Sequence, residues 1–123
     1  MASKRVISII DDDASVREAT ARLVRSLGHA AAVFSSAEEY LESAQGRDSA
    51  CLISDLHMPG MSGTELAEVL RARDAGLKVL FLSGHSRDTV VRHGVMHPEV
   101  AFLQKPFTLD ALSKELREVF ASD

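Results

Sequence analysis

Short apolar runs alternate five times with segments of helical period, and that alternation limits the chain to few architectures. "RVISII", "AAAVF", "CLIS", "KVLFLS" and "VAFLQ" each read as a strand buried on both faces, because apolar residues run on without polar alternation. Between the first two, Val16, Ala19, Leu23, Val24 and Leu27 fall at helical spacing up to Gly28, a C-terminal stop. Ser36 with Glu39, and Ser62 with Glu65, have the spacing of capping boxes that open a second and a third helix. A short helix is expected near residues 86 to 93, and a last one places Leu109, Leu112, Leu116 and Val119 on one face.

Strands that alternate with helices pair in parallel, because parallel neighbours need crossovers and those crossovers are right-handed. The expected fold is α/β: a doubly wound five-stranded parallel sheet in the flavodoxin-like order 2-1-3-4-5, with five helices. In 123 residues that are 46% hydrophobic this is one domain, covering 1–123. With 14 basic against 18 acidic residues and no Lys/Arg cluster, direct nucleic-acid binding is not expected. Cys51 has no internal partner for a disulfide, and no apolar stretch is long enough to cross a membrane, so a cytoplasmic setting is expected.

In that winding, functional groups collect at the carboxyl ends of the strands, where strands one and three are neighbours. The first strand runs into three aspartates, Asp11, Asp12 and Asp13; Asp55 ends the third, Ser83 the fourth, and Lys105 follows the fifth. Two unit charges about 4 Å apart repel by roughly 4 kcal/mol at an effective dielectric of about 20, so converging carboxylates require a cation. An all-oxygen donor set with room for water suits Mg²⁺, and Lys105 adds a mobile positive charge. A hard cation, a lysine, a hydroxyl and an exposed aspartate are the parts needed for phosphoryl transfer to a carboxylate, with Asp55 the natural acceptor.

"IIDDD", "DLHMPGMSG", "FLSGH" and "FLQKPF" resemble the receiver domains of two-component response regulators. The resemblance spans nearly the whole chain. It implies a phosphoacceptor signalling domain, not a general enzyme, in which Asp55 takes a phosphoryl group from a histidine kinase or a histidine phosphotransfer protein. It further implies Mg²⁺, with Mn²⁺ as a substitute, on the side chains of Asp12 and Asp55 and the backbone carbonyl of His57, with Asp11 acting through water. Ser83 and Lys105 would bind phosphoryl oxygens, Phe102 would report phosphorylation through its rotamer, and Lys105–Pro106 would be cis. His57 and His85 occupy the variable positions that flank the phosphoryl group and are expected to set its lifetime. A phosphorylation-dependent homodimer is compatible with this reading.

Asp13 lies outside the matching acidic pair and is expected to be an exposed helix-start residue. His93 and His97 have i, i+4 spacing but lack the glutamate of H-E-x-x-H, so surface positions are expected. Pro98 and Glu99 stand where receivers carry a Gly-Ala pair, a departure that implies an early end of the fourth helix, near Gly94. The run from Asp88 to Leu112 resembles receivers at the carboxyl end of hybrid sensor kinases, whereas "SSAEEYLESA" and "DLHMPGMSG" resemble the nitrogen-fixation type of regulator. Asp11 and Asp13 also form the D-x-D of haloacid-dehalogenase phosphohydrolases, but beyond Lys105 only Asp110, Glu115, Glu118 and Asp123 are acidic, without the pair those enzymes need.

Overall fold

The computed structural model describes residues 6–43, 49–58, 60–73, 77–92 and 101–121. Their order is β1 (Val6–Ile10), α1 (Ala14–Ser26), β2 (Ala30–Phe34), α2 (Ala37–Glu42), β3 (Cys51–Asp55), α3 (Gly63–Arg73), β4 (Lys78–Ser83), α4 (Arg87–Arg92), β5 (Ala101–Gln104) and α5 (Leu109–Ala121). The strands form one parallel sheet in the order β2-β1-β3-β4-β5, as the alternation requires. His93, His97, Gly94, Pro98 and Glu99, on which the expectations for the end of α4 rest, lie outside the described residues.

Each strand divides its side chains between two cores. Ile7 and Ile9 of β1, Cys51 and Ile53 of β3, Leu80 and Leu82 of β4 and Leu103 of β5 pack with Ala21 and Val24 of α1 and with Leu112, Leu116 and Val119 of α5. On the other face Ile10, Leu52, Val79, Phe81 and Phe102 meet Ala37 and Tyr40 of α2, Leu66 and Ala67 of α3 and Val90 of α4. Each large aliphatic side chain so buried contributes roughly 1.5–3 kcal/mol. With apolar groups on both faces, the strands show no polar alternation in sequence.

The helix ends follow local chemistry. Asp13 caps α1, its side chain accepting from the N–H groups of Ser15 (2.9 Å) and Val16 (3.3 Å). At the other end Gly28 adopts φ +92°, with Gly28 N–H donating to Arg25 O and His29 N–H to Val24 O, the Schellman pattern that favours glycine. Ser62 and Glu65 form a reciprocal capping box at α3, each side chain accepting from the other's N–H at 3.2 Å. At α2 only half of the expected box forms: Ser36 Oγ accepts from Glu39 N–H, but the Glu39 carboxylate reaches past it to the hydroxyl and N–H of Ser35.

Two side-chain expectations are corrected. The buried stripe of α1 is Thr20, Ala21 and Val24, while Ala19 is exposed; Thr20 can be buried because its hydroxyl donates to Val16 O at 2.8 Å within its own helix. Leu109 is 40% exposed. It opens α5 beyond the end of β5, and the buried stripe begins only at Leu112.

Gly63, the first residue of α3, sits against the end of β3, where a Cβ would stand 2.5 Å from Asp55 O and 3.1 Å from Ser54 Oγ. The obstacle is backbone and cannot rotate aside. Gly63→Ala is expected to cost about 1–3 kcal/mol, the range for overpacking, read as a lower urea midpoint at unchanged slope.

Candidate functional site

Backbone hydrogen bonds carry the sheet one residue beyond its strands and thereby fix the site. Asp11 N–H donates to Phe34 O of β2 at 3.2 Å, Leu56 N–H to Leu82 O of β4 at 2.9 Å, and Lys105 N–H to Ser83 O at 2.8 Å. Asp11, Asp55, Ser83 and Lys105 are thus held at the carboxyl edge of adjacent strands. The Lys105–Pro106 peptide is cis.

The three aspartates after β1 differ in placement. Asp11 is fully buried, Asp12 is exposed beside it, and Asp13 turns away to cap α1. Asp11, Asp12 and Asp55 each bring a carboxylate oxygen to within 4.8 Å of the other two. Asp13 has no part in this cluster. The D-x-D reading therefore loses its second carboxylate to a helix cap.

Lys105 Nζ stands 3.3 Å from Asp11 Oδ2 and 3.3 Å from Asp55 Oδ2, bridging the two carboxylates; Asp55, expected to be exposed, is instead buried at 6% exposure, because it is the last residue of the central strand β3 and holds that ammonium against it. Their other oxygens accept from backbone: Asp11 Oδ1 from Asp13 N–H at 3.0 Å, and Asp55 Oδ1 from His57 N–H at 3.2 Å. Burial pushes the Asp11 carboxyl above its ordinary value, against the Asp13 N–H and the Lys105 charge, which pull it down. For Lys105 burial pulls down, but the charges of Asp55 and Asp11 together outweigh it and hold the ammonium above its ordinary value.

Ser83 is fully buried at the end of β4 and accepts from His85 N–H at 3.0 Å. Two residues along the strand it shares a face with Phe81, whose register partner on β5 is Phe102, itself 6% exposed in the core under α4. His57 and His85, both exposed and carried on the loops that follow β3 and β4, meet edge to face with ring centroids 5.6 Å apart. All eight residues singled out in sequence, Asp11, Asp12, Asp55, His57, Ser83, His85, Phe102 and Lys105, therefore lie at this rim or directly beneath it.

Three contributors escape sequence reasoning. Arg17 reaches back from α1 and donates through Nη1 to Asp11 O at 2.8 Å, steadying the acidic turn. Glu38 of α2 accepts from Met61 N–H at 3.4 Å and so ties α2 to the loop before α3. Gly63 admits α3 to contact with Asp55 O. Only Gly63 carried a signal, as the final glycine of the "DLHMPGMSG" turn.

A family model described as the response regulator receiver domain matches residues 7–117. The chain is 33% identical over 113 residues to the transcriptional regulatory protein FixJ of Bradyrhizobium diazoefficiens, covering 92% of this chain and 55% of that protein. It is 36% identical over 112 residues to the response regulator protein TodT of Pseudomonas putida, covering 91% and 49%. The chain thus spans about half the length of the curated relatives it matches. The chemotaxis protein CheY4 of Vibrio cholerae superposes with a TM-score of 0.82 over 95% of this chain and 99% of that one, at 24% identity, a likeness of fold.

Proposed function

The chain belongs to the response regulator receiver domain family, and from that premise we propose that Asp55 is its phosphoacceptor, charged by a phosphohistidine of a histidine kinase or phosphotransfer protein. The observation that carries this reading is the convergence of three carboxylates and one ammonium at the end of β3, with Asp55 only 6% exposed and already fixed by His57 N–H.

A carboxylate oxygen of Asp55 forms the new P–O bond as the P–N bond of the donor breaks, and the imidazole leaves with the bonding pair and takes a proton. The donor set fits a hard divalent cation: Mg²⁺, or Mn²⁺ in its place, would be held by Asp12 and Asp55, by the His57 carbonyl and by Asp11 through water, and would neutralise charge on the phosphoryl oxygens. Lys105, which contacts the Asp55 carboxylate, would follow the charge onto the phosphoryl group. His57 and His85 flank the entry and are assigned to phosphate lifetime, read as the decay rate of the phosphorylated species when both are replaced by Asn. The domain catalyses only its own phosphorylation and dephosphorylation.

Nucleic-acid binding by a longer protein is left open by relatives that are themselves transcriptional regulators, and FixJ favours the nitrogen-fixation type over the hybrid-kinase type. Among the described residues no helix is long and apolar enough to cross a membrane.

Incubation with acetyl phosphate and Mg²⁺ is expected to add one phosphoryl group by intact mass, and excess chelator to prevent it. Addition at full yield without a divalent cation would contradict the acidic-cluster reading.

Ser83→Ala is expected to separate phosphorylation from its consequence. The Ser83 hydroxyl lies on the sheet face that carries Phe81 and Phe102, so drawing it toward a phosphoryl oxygen by a charge-assisted hydrogen bond frees space for Phe102. The variant should still take up phosphate while NMR shifts of α4, β5 and α5 stay near the unphosphorylated positions. Full shifts there would refute the coupling.

A further inference from the structure

Arg17 follows the three aspartates by little more than a helical turn, yet among the described residues it forms no ion pair with any of them. Its guanidinium goes to backbone instead. Half-buried, it donates through Nη1 to Asp11 O at 2.8 Å, a charge-assisted bond. A guanidinium forked onto Asp12 would occupy the oxygens that a metal needs, so this choice of partner leaves that carboxylate open to a cation.

The bond falls on a particular peptide unit. The Asp11 carbonyl belongs to the unit that precedes Asp12, and the Asp13 N–H, which donates to Asp11 Oδ1 at 3.0 Å, belongs to the unit that follows it. Because each unit is planar, the orientation of Asp12 rests on its two soft dihedrals, and one hydrogen bond on either side restrains each of them. The exposed Asp12 side chain accepts no hydrogen bond among the described residues. Its aim, which brings an oxygen within 4.8 Å of those of Asp11 and Asp55, therefore comes from the backbone beneath it. Arg17 is itself held at the start of α1, where its N–H donates to Asp13 O at 2.9 Å.

We propose that Arg17 is a positioning residue for the cation site: through the Asp11 carbonyl it sets the backbone at Asp12, and so the approach of the Asp12 carboxylate to the metal. The role rests on Asp12 being a metal ligand. Arg17 has donors only and acts through Asp12, not as a ligand. Its charge works in the opposite direction, because a cation near a dication repels it. By Coulomb's law alone, removing Arg17 would tighten Mg²⁺ binding, whereas loss of positioning weakens it. The sign of the change separates the two.

The test is a calorimetric Mg²⁺ titration of the full chain and its variants. Arg17→Met, which keeps an apolar stem and removes the donor, is expected to bind Mg²⁺ about tenfold more weakly, the lower end of what partners of metal ligands contribute. Arg17→Lys should recover most of that affinity, because a single bond to a carbonyl needs a charged donor but not a fork. Arg22→Met removes an exposed charge of α1 that has no bond to the turn, and should leave the affinity unchanged or slightly raised. In the metal-free chain, Arg17→Met should shift the Asp12 and Asp13 amide resonances and speed exchange of the Asp13 amide, a readout that needs no metal. Arg17→Gln repeats both measurements with a second side chain in case Met disturbs the fold.

Mg²⁺ affinity in Arg17→Met equal to or above that of the unaltered chain, while Asp12→Ala loses its Mg²⁺, would overturn the role and leave the ligand assignment standing. Mg²⁺ retained by Asp12→Ala would remove that assignment and this role together.

Discussion

Asp55→Asn will take up no phosphoryl group from acetyl phosphate and Mg²⁺ under conditions in which the unaltered chain takes up one. An amide oxygen is too weak a nucleophile to form the P–O bond, whereas the rest of the site survives the change. The amide introduced there matches the carboxylate in size and its carbonyl would still accept from His57 N–H, so β3 and the loop beyond it keep their anchor. Lys105 loses one of two carboxylates and keeps Asp11. The folded state should therefore persist in circular dichroism while the mass shift disappears. Uptake equal to that of the unaltered chain would move the acceptor to Asp11 or Asp12.

Asp12→Ala will lose both Mg²⁺ binding and phosphorylation, and Asp13→Ala neither, although the two residues are adjacent. Asp12 is the exposed member of the oxygen cluster, so its removal takes a ligand without opening the core. Asp13 serves α1, and losing its bonds to Ser15 and Val16 N–H is expected to cost about 1 kcal/mol of stability with metal affinity intact. Calorimetric Mg²⁺ titration and urea unfolding of both variants separate the roles. Asp13→Ala as the variant that loses metal would show the acidic run to be misassigned. The folded value of the Asp11 carboxyl lies above its ordinary one, so ionisation there costs the fold stability as pH rises past that ordinary value. A bound dication relieves that cost, and Mg²⁺ should raise the unfolding midpoint of the unaltered chain but not of Asp12→Ala.

Sheet order, strand identity and the meeting of the candidate site residues at one sheet edge were legible in the sequence because they follow from one-dimensional signals. Strands buried on both faces show as unbroken apolar runs, capping residues sit at fixed offsets, and parallel winding sends strand ends to one edge. What stayed hidden depends on the meeting of particular side chains. Periodicity gave no reason to bury Thr20 and expose Ala19, because the deciding hydrogen bond runs within one turn of α1. Nothing marks Arg17 as the residue that reaches Asp11 O, and Glu39 could bond at Ser36 or Ser35 with the same spacing. The variable positions of His57 and His85 were identifiable, but their ring contact depends on how two loops converge in space.

Lys105, shared between Asp11 and Asp55, means that the resting site already holds an incumbent ion. A dication held by Asp12 and Asp55 would then compete for the Asp55 carboxylate with an ammonium tethered to the chain that never dilutes away. A monovalent ion offers the carboxylates no more charge than the lysine it would replace and gains nothing by the swap. A dication doubles the attraction at similar distance and can win. Discrimination against the abundant monovalent ions of any biological fluid is thus built into the competitor and requires no cage shaped to ionic radius. The same incumbency keeps the net grip on the dication modest, so occupancy rises and falls with its free concentration.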